Sequence, residues 1–225
     1  MATIELSGAR LYYELHGEGE GTLDDDVADL AGLIGELGLA PAHLVGHSRG
    51  GSIALRLATS QPELVRTVNA HEPPLLALLA DDNTGKAQLA EAAPSARRVI
   101  AEIEASEHEA AARRFIDEVA IGEGTWEAIP PPVRARLVAN ADTFAEEERD
   151  PTVSAIDLEA VAELRMPLLL TYGDRSPSMF APVIDRLEAA APDAEQRVFE
   201  GAGHAVNLTH PDQYAAAIEG FVRGR

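Results

Sequence analysis

The stretch from Ala42 to Ala58, AHLVGHSRGGSIALRLA, constrains the fold more than any other part of this 225-residue chain. A short apolar run, AHLVG, leads into a glycine-rich turn, and a helical pattern follows as far as Pro62. The turn reads G-x-S-x-G with Ser48 at its centre. At this spacing, small residues on either side of the serine let the strand and helix backbones pass each other. The sequence therefore predicts a strand, a sharp turn and a helix, with Ser48 at the turn.

Ser48 has two interpretations. As a nucleophile it would sit beside the positive N-terminal end of the helix, and the backbone N–H of Arg49 would face a developing oxyanion. As a helix N-cap it would only accept a hydrogen bond from the first turn, a role that does not require the three glycines around it. The glycines favour the nucleophile.

The rest of the chain alternates strand and helix patterns. Two alternating runs, Thr3 to Leu6 and Arg10 to Leu15, predict an N-terminal β-hairpin. Thr22 and Asp25 form a capping-box pattern that predicts the start of a helix. Further strands are predicted at VRTVNA, MPLLLTYGD and AEQRVFEGAGH, each followed by helical or turn sequence. Strands that alternate with helices indicate a parallel sheet with helices on both faces.

One long segment interrupts this alternation. From residue 75 to 161 the sequence is rich in alanine and charged residues at helical spacing and shows no strand pattern. We therefore expect a helical lid inserted between two strands of the sheet. The predicted division is residues 1–74 for the first part of the core, 75–161 for the lid and 162–225 for the second part of the core.

Four motifs occur in an order that resembles the α/β-hydrolase superfamily: GHSRGG, SQPELV, PLLLTYGD and GAGH. The resemblance runs from about Leu23 to the C-terminus and implies an α/β fold with a mostly parallel sheet. It also implies that Ser48 is the nucleophile and that His204, in GAGH, is the general base. A serine at this turn favours transfer of an acyl group to water, from an ester, lactone, thioester, amide or activated carbon–carbon bond, over the reactions of members with a carboxylate there.

The resemblance also implies an acid that completes a catalytic triad with Ser48 and His204. In the resembled family it stands three residues after the glycine that ends the strand before the histidine, and here that position is Ser176, after Gly173. Glu72 and Asp174 are the remaining candidates, and in so acidic a chain either could be a solvated turn residue. We favour Glu72, because it lies at the C-terminal end of a strand, where catalytic groups gather in parallel sheets. Asp174 is the alternative.

A second departure lies between the hairpin and the Ser48 turn. The resembled fold has a further strand, helix and strand there, a unit of roughly 30 residues or more, and its first loop supplies the second oxyanion N–H. In this chain His16 and Gly17 read as the exit of the hairpin, and a helix follows at once. We therefore expect a reduced number of strands and an exposed edge beside AHLVG. We also expect Arg49 to be the one assured oxyanion donor, and activity to be weak or undetectable.

The charge balance excludes some classes of partner. With 38 acidic and 18 basic residues the formal net charge is −20, which repels nucleic acid and anionic membrane surfaces. The chain has no cysteine, and its seven histidines lack a metal-ligand spacing, so we expect neither a metal nor a cofactor. No apolar run approaches the ~20 residues that span a bilayer, and the N-terminus reads as a strand, which together predict a cytoplasmic protein.

Two functions follow from these residues. The first is an esterase-like serine hydrolase that acts on a small ester, lactone or related acyl compound through an acyl-enzyme on Ser48. The second is a hydrolase-derived protein that binds a ligand without turning it over, because its oxyanion hole is incomplete. Retention of Ser48 and His204 favours the first, and the absent unit favours the second. A homo-oligomer could form through the exposed sheet edge.

Overall fold

The computed structural model describes residues 2–6, 9–13, 22–81 and 83–225. Within these ranges the strands form two sheets. A two-stranded antiparallel hairpin pairs Ala2 with Tyr13 and Leu6 with Ala9, which confirms the predicted N-terminal hairpin. A four-stranded sheet is parallel throughout, in the order β3-β4-β5-β6. The strands are β1 (Ala2–Leu6), β2 (Ala9–Tyr13), β3 (Ala42–His47), β4 (Val65–His71), β5 (Leu168–Gly173) and β6 (Glu195–Phe199).

Helices lie before, between and after the parallel strands along the chain. The described helices are α1 (Leu23–Glu36), α2 (Arg49–Ser60), α3 (Asn83–Glu104), α4 (His108–Arg114), α5 (Thr125–Ala128), α6 (Pro131–Ala139), α7 (Ala141–Arg149), α8 (Leu158–Ala162), α9 (Phe180–Ala190), α10 (Val206–Thr209) and α11 (Pro211–Val222). A turn of π-helix, Phe115–Ala120, continues α4. The α/β fold with a mostly parallel sheet is as predicted, and so is a reduced number of strands.

Alternate residues of the central strands pack against different helices. Val68 and Ala70 of β4 belong to the main apolar core, which includes residues of α1, α2 and α9. Between them, Asn69 accepts a hydrogen bond from Tyr214 of α11 (3.5 Å), and the His71 ring packs edge-on against Tyr214. Because successive strand residues point to opposite faces, α11 lies on the face opposite the main core. The sheet therefore has helices on both faces.

The predicted capping box at the start of α1 is present. The Thr22 hydroxyl accepts from the Asp25 N–H (3.2 Å), and the Asp25 carboxylate accepts from the Thr22 N–H (2.8 Å). Asp150 adds a further cap from a distant part of the chain, since its Oδ2 accepts from the Leu23 N–H at 2.9 Å. These contacts satisfy backbone donors that a helix N-terminus would otherwise leave unpaired.

Residues 75–161, here called the helical insertion, lie between β4 and β5. Among the described residues of this segment there is no strand. Its two ends join the main core through Leu75, Leu79 and Val161. Between its ends the insertion packs largely on itself, around one apolar cluster that includes Val99 and a second that includes Trp126.

Strand β3 is an edge strand of the four-stranded sheet, and its residue Val45 is 48% exposed. The segment between β2 and α1, residues 14–22, lies outside the described residues except for Thr22, and so does the predicted hairpin exit at His16 and Gly17. In the described part of the chain no helix is both long and apolar enough to span a membrane.

Candidate active site

The serine turn is a single residue between β3 and α2. Ser48 has φ +55° and ψ −125°, a left-handed conformation that a non-glycine residue rarely adopts. Its N–H donates to the carbonyl of His71 at the end of β4 (2.8 Å), which fixes the turn to the neighbouring strand. A Cβ atom on Gly46 would lie 2.1 Å from the carbonyl oxygen of Gly50, so β3 and α2 can cross here only because residue 46 is glycine. The Ser48 side chain makes no capping hydrogen bond to α2.

Glu72 follows β4 directly and turns into the interior. Its φ is +47°, and its side chain is 0% exposed. Oε1 accepts from the Gly173 N–H at 2.7 Å, and Oε2 lies 2.5 Å from Nδ1 of His204. Burial by itself raises the pKa of Glu72, but the hydrogen bond with His204, and after it the nearby His71 and further hydrogen bonds, more than offset this and hold the pKa below its ordinary value. The carboxylate is therefore ionised, and each of its two oxygens has a hydrogen-bond partner.

His204 lies in the loop after β6 and is fixed on several sides. It is 4% exposed, and its ring stacks flat on Phe180 with centroids 4.6 Å apart. Its backbone carbonyl accepts a hydrogen bond from Nε2 of His47 at 2.8 Å. Because Nδ1 is hydrogen-bonded to Glu72, Nε2 is the ring nitrogen that is available for proton transfer.

Asp174 stands apart from this pair. It is exposed, and its Oδ1 accepts from the Gly201 N–H at 2.7 Å, which closes the turn after β6. Ser176, at the position where the resembled family carries its acid, has its hydroxyl beside Glu72 and lowers the pKa of Glu72, but it makes no regular hydrogen bond to it. Glu72, and not Asp174, is therefore the carboxylate that lies beside His204. Ser176 lies next to this carboxylate.

Arg49 contributes both its backbone and its side chain. It is the first residue of α2, and its N–H finds no acceptor among the described residues. Its guanidinium donates to Asp26 Oδ2 of α1 from Nη2 at 2.6 Å and from Nε at 3.0 Å, and Nε lies 3.3 Å from Glu147 Oε1 of α7. Burial raises the pKa of Glu147, and the positive charge of Arg49 opposes that rise. The serine turn is in this way tied to the core and to the helical insertion.

The contacts of His47 were not predicted from the sequence. His47 is the variable residue before Ser48 in the motif, and its ring donates to the His204 carbonyl and lies 4.6 Å from the His204 ring. Its pKa is lowered, first by burial and then by the nearby His204. The signal that could have found it is its place as the last residue of β3, at the carboxyl edge of a parallel sheet.

His71, the last residue of β4, is the second residue missed. It is wholly buried, and its Nδ1 lies 2.9 Å from the Thr171 hydroxyl. Its Nε2 lies 3.8 Å from Glu72 Oε1 and makes no hydrogen bond within the described part of the chain. Burial lowers the pKa of His71 to about 4, so it is neutral at physiological pH.

A cavity of about 460 Å³ opens onto Ser48 and His204. Most of its wall is apolar, and much of that wall comes from the helical insertion. Charged groups enter it at Arg49, Arg97, Glu147 and Glu148. The other lining residues are Pro74, Leu76, Leu89, Ala92, Ala93, Ala96, Ile100, Phe115, Val119, Ala120, Phe144, Val153, Ser154, Met179 and Phe180.

No cluster of three or more histidine, aspartate or glutamate side chains that could hold a metal ion occurs among the residues that the structure describes. The site as built is suited to chemistry by a hydroxyl, an imidazole and a carboxylate.

Comparison with known proteins matches this chain to a hydrolase family and to esterases. The model of the alpha/beta hydrolase family matches residues 4–217. Pimeloyl-[acyl-carrier protein] methyl ester esterase from Aromatoleum aromaticum is 29% identical over 196 residues, which cover 81% of this chain and 74% of that enzyme. The enzyme of the same name from Serratia marcescens is 37% identical over 67 residues, 29% of this chain and 26% of that enzyme, so this match spans about a quarter of its length.

Solved structures resemble the chain in fold. The crystal structure of E-2-(acetamidomethylene)succinate hydrolase superposes with a TM-score of 0.60 at 22% identity, over 92% of this chain and 76% of that one. At this level of identity the likeness concerns the fold alone.

Proposed function

The chain belongs to the α/β hydrolase family, and from that premise we propose that it hydrolyses small, largely apolar esters through an acyl-enzyme on Ser48. The observation that carries this proposal is the buried hydrogen bond of 2.5 Å between Glu72 and His204, beside a cavity that both Ser48 and His204 line. A nucleophile, a base and a group that orients the base are the three parts that acyl transfer needs.

In the proposed reaction, Nε2 of His204 takes the proton of the Ser48 hydroxyl as Oγ attacks the carbonyl carbon of the ester. The carbonyl oxygen becomes an oxyanion, which the backbone N–H of Arg49 and the positive end of α2 stabilise. Collapse of this intermediate breaks the bond to the alcohol, which leaves with the proton from His204. Water then attacks the acyl-enzyme by the same steps, which releases the acid and restores Ser48.

Glu72 is the proposed acid of the triad. An ionised carboxylate at Nδ1 holds the proton on that nitrogen, so that Nε2 presents its lone pair, and it stabilises the imidazolium that forms during attack. The lowered pKa of Glu72 keeps it ionised while this happens. Asp174 is occupied at the Gly201 turn and is assigned no part in catalysis.

The ester bond as substrate is supported by the relatives, which are named as methyl ester esterases. The apolar wall of the cavity supports a hydrophobic acyl group. In this proposal the helical insertion, residues 75–161, acts as the lid over the site, and residues 1–74 and 162–225 form the core.

Turnover of 4-nitrophenyl butyrate tests the proposal. Ser48→Ala removes the nucleophile and should lower kcat by about 10⁴-fold or more. Ser154→Ala is the matched control, because it removes a hydroxyl from the same cavity wall, and its kcat should stay within about threefold of the parent. Equal turnover by the parent and Ser48→Ala would contradict the proposal.

A second candidate function, binding of an acyl ligand without turnover, is favoured by one observation. Only residues 14–22 connect β2 to α1, which is too short for the strand, helix and strand of the resembled fold. The loop of that unit supplies the second oxyanion donor, and loss of one donor costs about 10² to 10³ in kcat. A parent protein that binds an acyl ketone but hydrolyses no ester would support this second function over the first.

A further inference from the structure

Two cavities of the helical insertion share a wall. The larger one, of about 460 Å³, contains Ser48. A smaller one, of about 150 Å³, lies within the insertion, and its lining includes Val99, Ile103 and Leu137. Phe115, Phe144 and Glu147 line both cavities. The two spaces are therefore neighbours, and these three side chains separate them.

The two aromatic rings form the apolar part of this shared wall. Phe115 begins the π-helical turn after α4, and Phe144 lies on α7. Their ring centroids are 4.9 Å apart with planes inclined at 54°, a packed aromatic contact. Glu147, one turn along α7 from Phe144, is held by its ion pair with Arg49. The rings are thus the part of the wall whose removal would join the two spaces without disturbing a charge.

We propose that the Phe115–Phe144 pair sets the length of the acyl chain that the site accepts, and that the substrates are esters of linear apolar acids whose chain ends against these rings. This inference rests on the proposed function, because it takes the cavity at Ser48 as the acyl-binding site. The space behind the rings is closed to the acyl chain while both rings are in place.

The sizes involved make the effect measurable. Apolar cavities of about 150 Å³ in proteins bind groups the size of benzene. Removal of one ring should therefore admit about two to four further methylene groups. Each methylene that becomes buried is worth roughly fourfold in affinity. A chain that is two carbons too long for the parent should accordingly gain about tenfold or more in the opened variant.

The test compares kcat/KM along a series of 4-nitrophenyl esters, from acetate through butyrate, hexanoate and octanoate to decanoate. Phe144→Ala should move the optimum about two to four carbons towards longer chains and raise the ratio of the octanoate value to the butyrate value about tenfold or more. Phe144→Leu, a milder change at the same site, should move it in the same direction by less, and it serves if the alanine variant is poorly folded.

Leu137→Ala is the matched control. Leu137 lines the smaller cavity and not the larger one, so its truncation also removes apolar side chain from the insertion but leaves the shared wall intact. This variant should lose stability and keep the chain-length optimum of the parent. The same optimum in the parent and both folded Phe144 variants would overturn the proposal, as would a shift of equal size in Leu137→Ala.

A measurement without turnover separates this inference from the proposed function. Linear 2-alkanones carry an acyl-like carbonyl that cannot be hydrolysed, and calorimetry gives their dissociation constants along the chain-length series. In Phe144→Ala the longer ketones should gain about tenfold in affinity relative to the shorter ones, whether or not any ester is hydrolysed. An unchanged series would overturn the chain-length proposal. Loss of Ser48-dependent turnover alone would count only against the hydrolase.

Discussion

Strands β4 and β5 lie side by side and each is followed directly by a carboxylate, Glu72 after His71 and Asp174 after Gly173. The two carboxylates nevertheless have different surroundings. Glu72 is wholly buried and hydrogen-bonded to His204 and to the Gly173 N–H, whereas Asp174 is exposed and closes a turn at Gly201. An equal distance from a strand end therefore does not give equal surroundings.

Backbone conformation accounts for much of this difference. Glu72 has φ +47°, a strained conformation that turns its side chain back into the protein. A carboxylate buried in this way is costly unless it is paired, and the pairing with His204 supplies that compensation. Strain and a buried charge at one residue together mark a functional position more strongly than its place in the sequence does.

The largest expected difference between these two carboxylates appears when each is exchanged for its amide. Glu72→Gln keeps the shape but no longer holds His204 in the required tautomer, so kcat on 4-nitrophenyl butyrate should fall by about 10³ to 10⁴. Asp174→Asn should stay within about threefold, because that residue only closes an exposed turn. If Asp174→Asn stopped turnover and Glu72→Gln did not, the assignment of the acid would be reversed.

The buried end of β4 should also make stability depend on pH. His71 is neutral when folded, with a pKa of about 4, whereas in the unfolded chain the value returns to about 6.5. Between these pH values the unfolded state binds more protons than the folded state. The free energy of unfolding should therefore be highest above about pH 6.5 and fall by about 3 kcal/mol as the pH drops to about 4.

Urea denaturation at a series of pH values measures this dependence. His71→Phe removes the titrating ring from its place against Tyr214 and Phe199 and should reduce the fall in the free energy of unfolding across that window, while the lowered pKa of His47 leaves a residual fall. Glu72 acts in the same direction only from the lower end of this window, since the stability that its lowered pKa contributes is lost as the pH falls below 4.5. An unchanged slope in His71→Phe would show that burial of this histidine is not its cause.

A smaller effect is expected at the end of β3, where we infer that His47 positions His204 through its hydrogen bond to the His204 carbonyl. His47→Ala removes the hydrogen bond to the His204 carbonyl and should lower kcat about five- to tenfold with little change in KM. His47→Gln retains an N–H donor and should recover part of that loss. A purely structural role would instead appear as equal losses of stability and activity in both variants.

The sequence predicted those parts of the molecule that depend on local chemistry. The turn at Ser48 was predictable because glycine at position 46 is a steric requirement of the strand-to-helix crossing, whereas a Cβ atom on Gly50 would meet nothing within 4 Å. The start of α1 was predictable from the capping pair Thr22 and Asp25, and the helical character of residues 75–161 from their composition and spacing.

The rest depends on contacts between distant residues. The sequence favoured Glu72 over Asp174 but could not decide between them, because burial and the sign of φ at Glu72 arise from packing against β5. Two further contacts join segments that are far apart in the chain: that of His47 with the His204 carbonyl, and that of the Phe115 and Phe144 rings. No local sequence pattern could predict them.

The central claim, that Ser48 is a nucleophile activated by His204 and Glu72, is tested most directly by covalent labelling with a fluorophosphonate. Mass spectrometry of the digested protein should place the label on Ser48, with no label in Ser48→Ala, slower labelling in Glu72→Gln and an unchanged rate in Asp174→Asn. Labelling of another residue, or labelling that survives in Ser48→Ala, would contradict the claim.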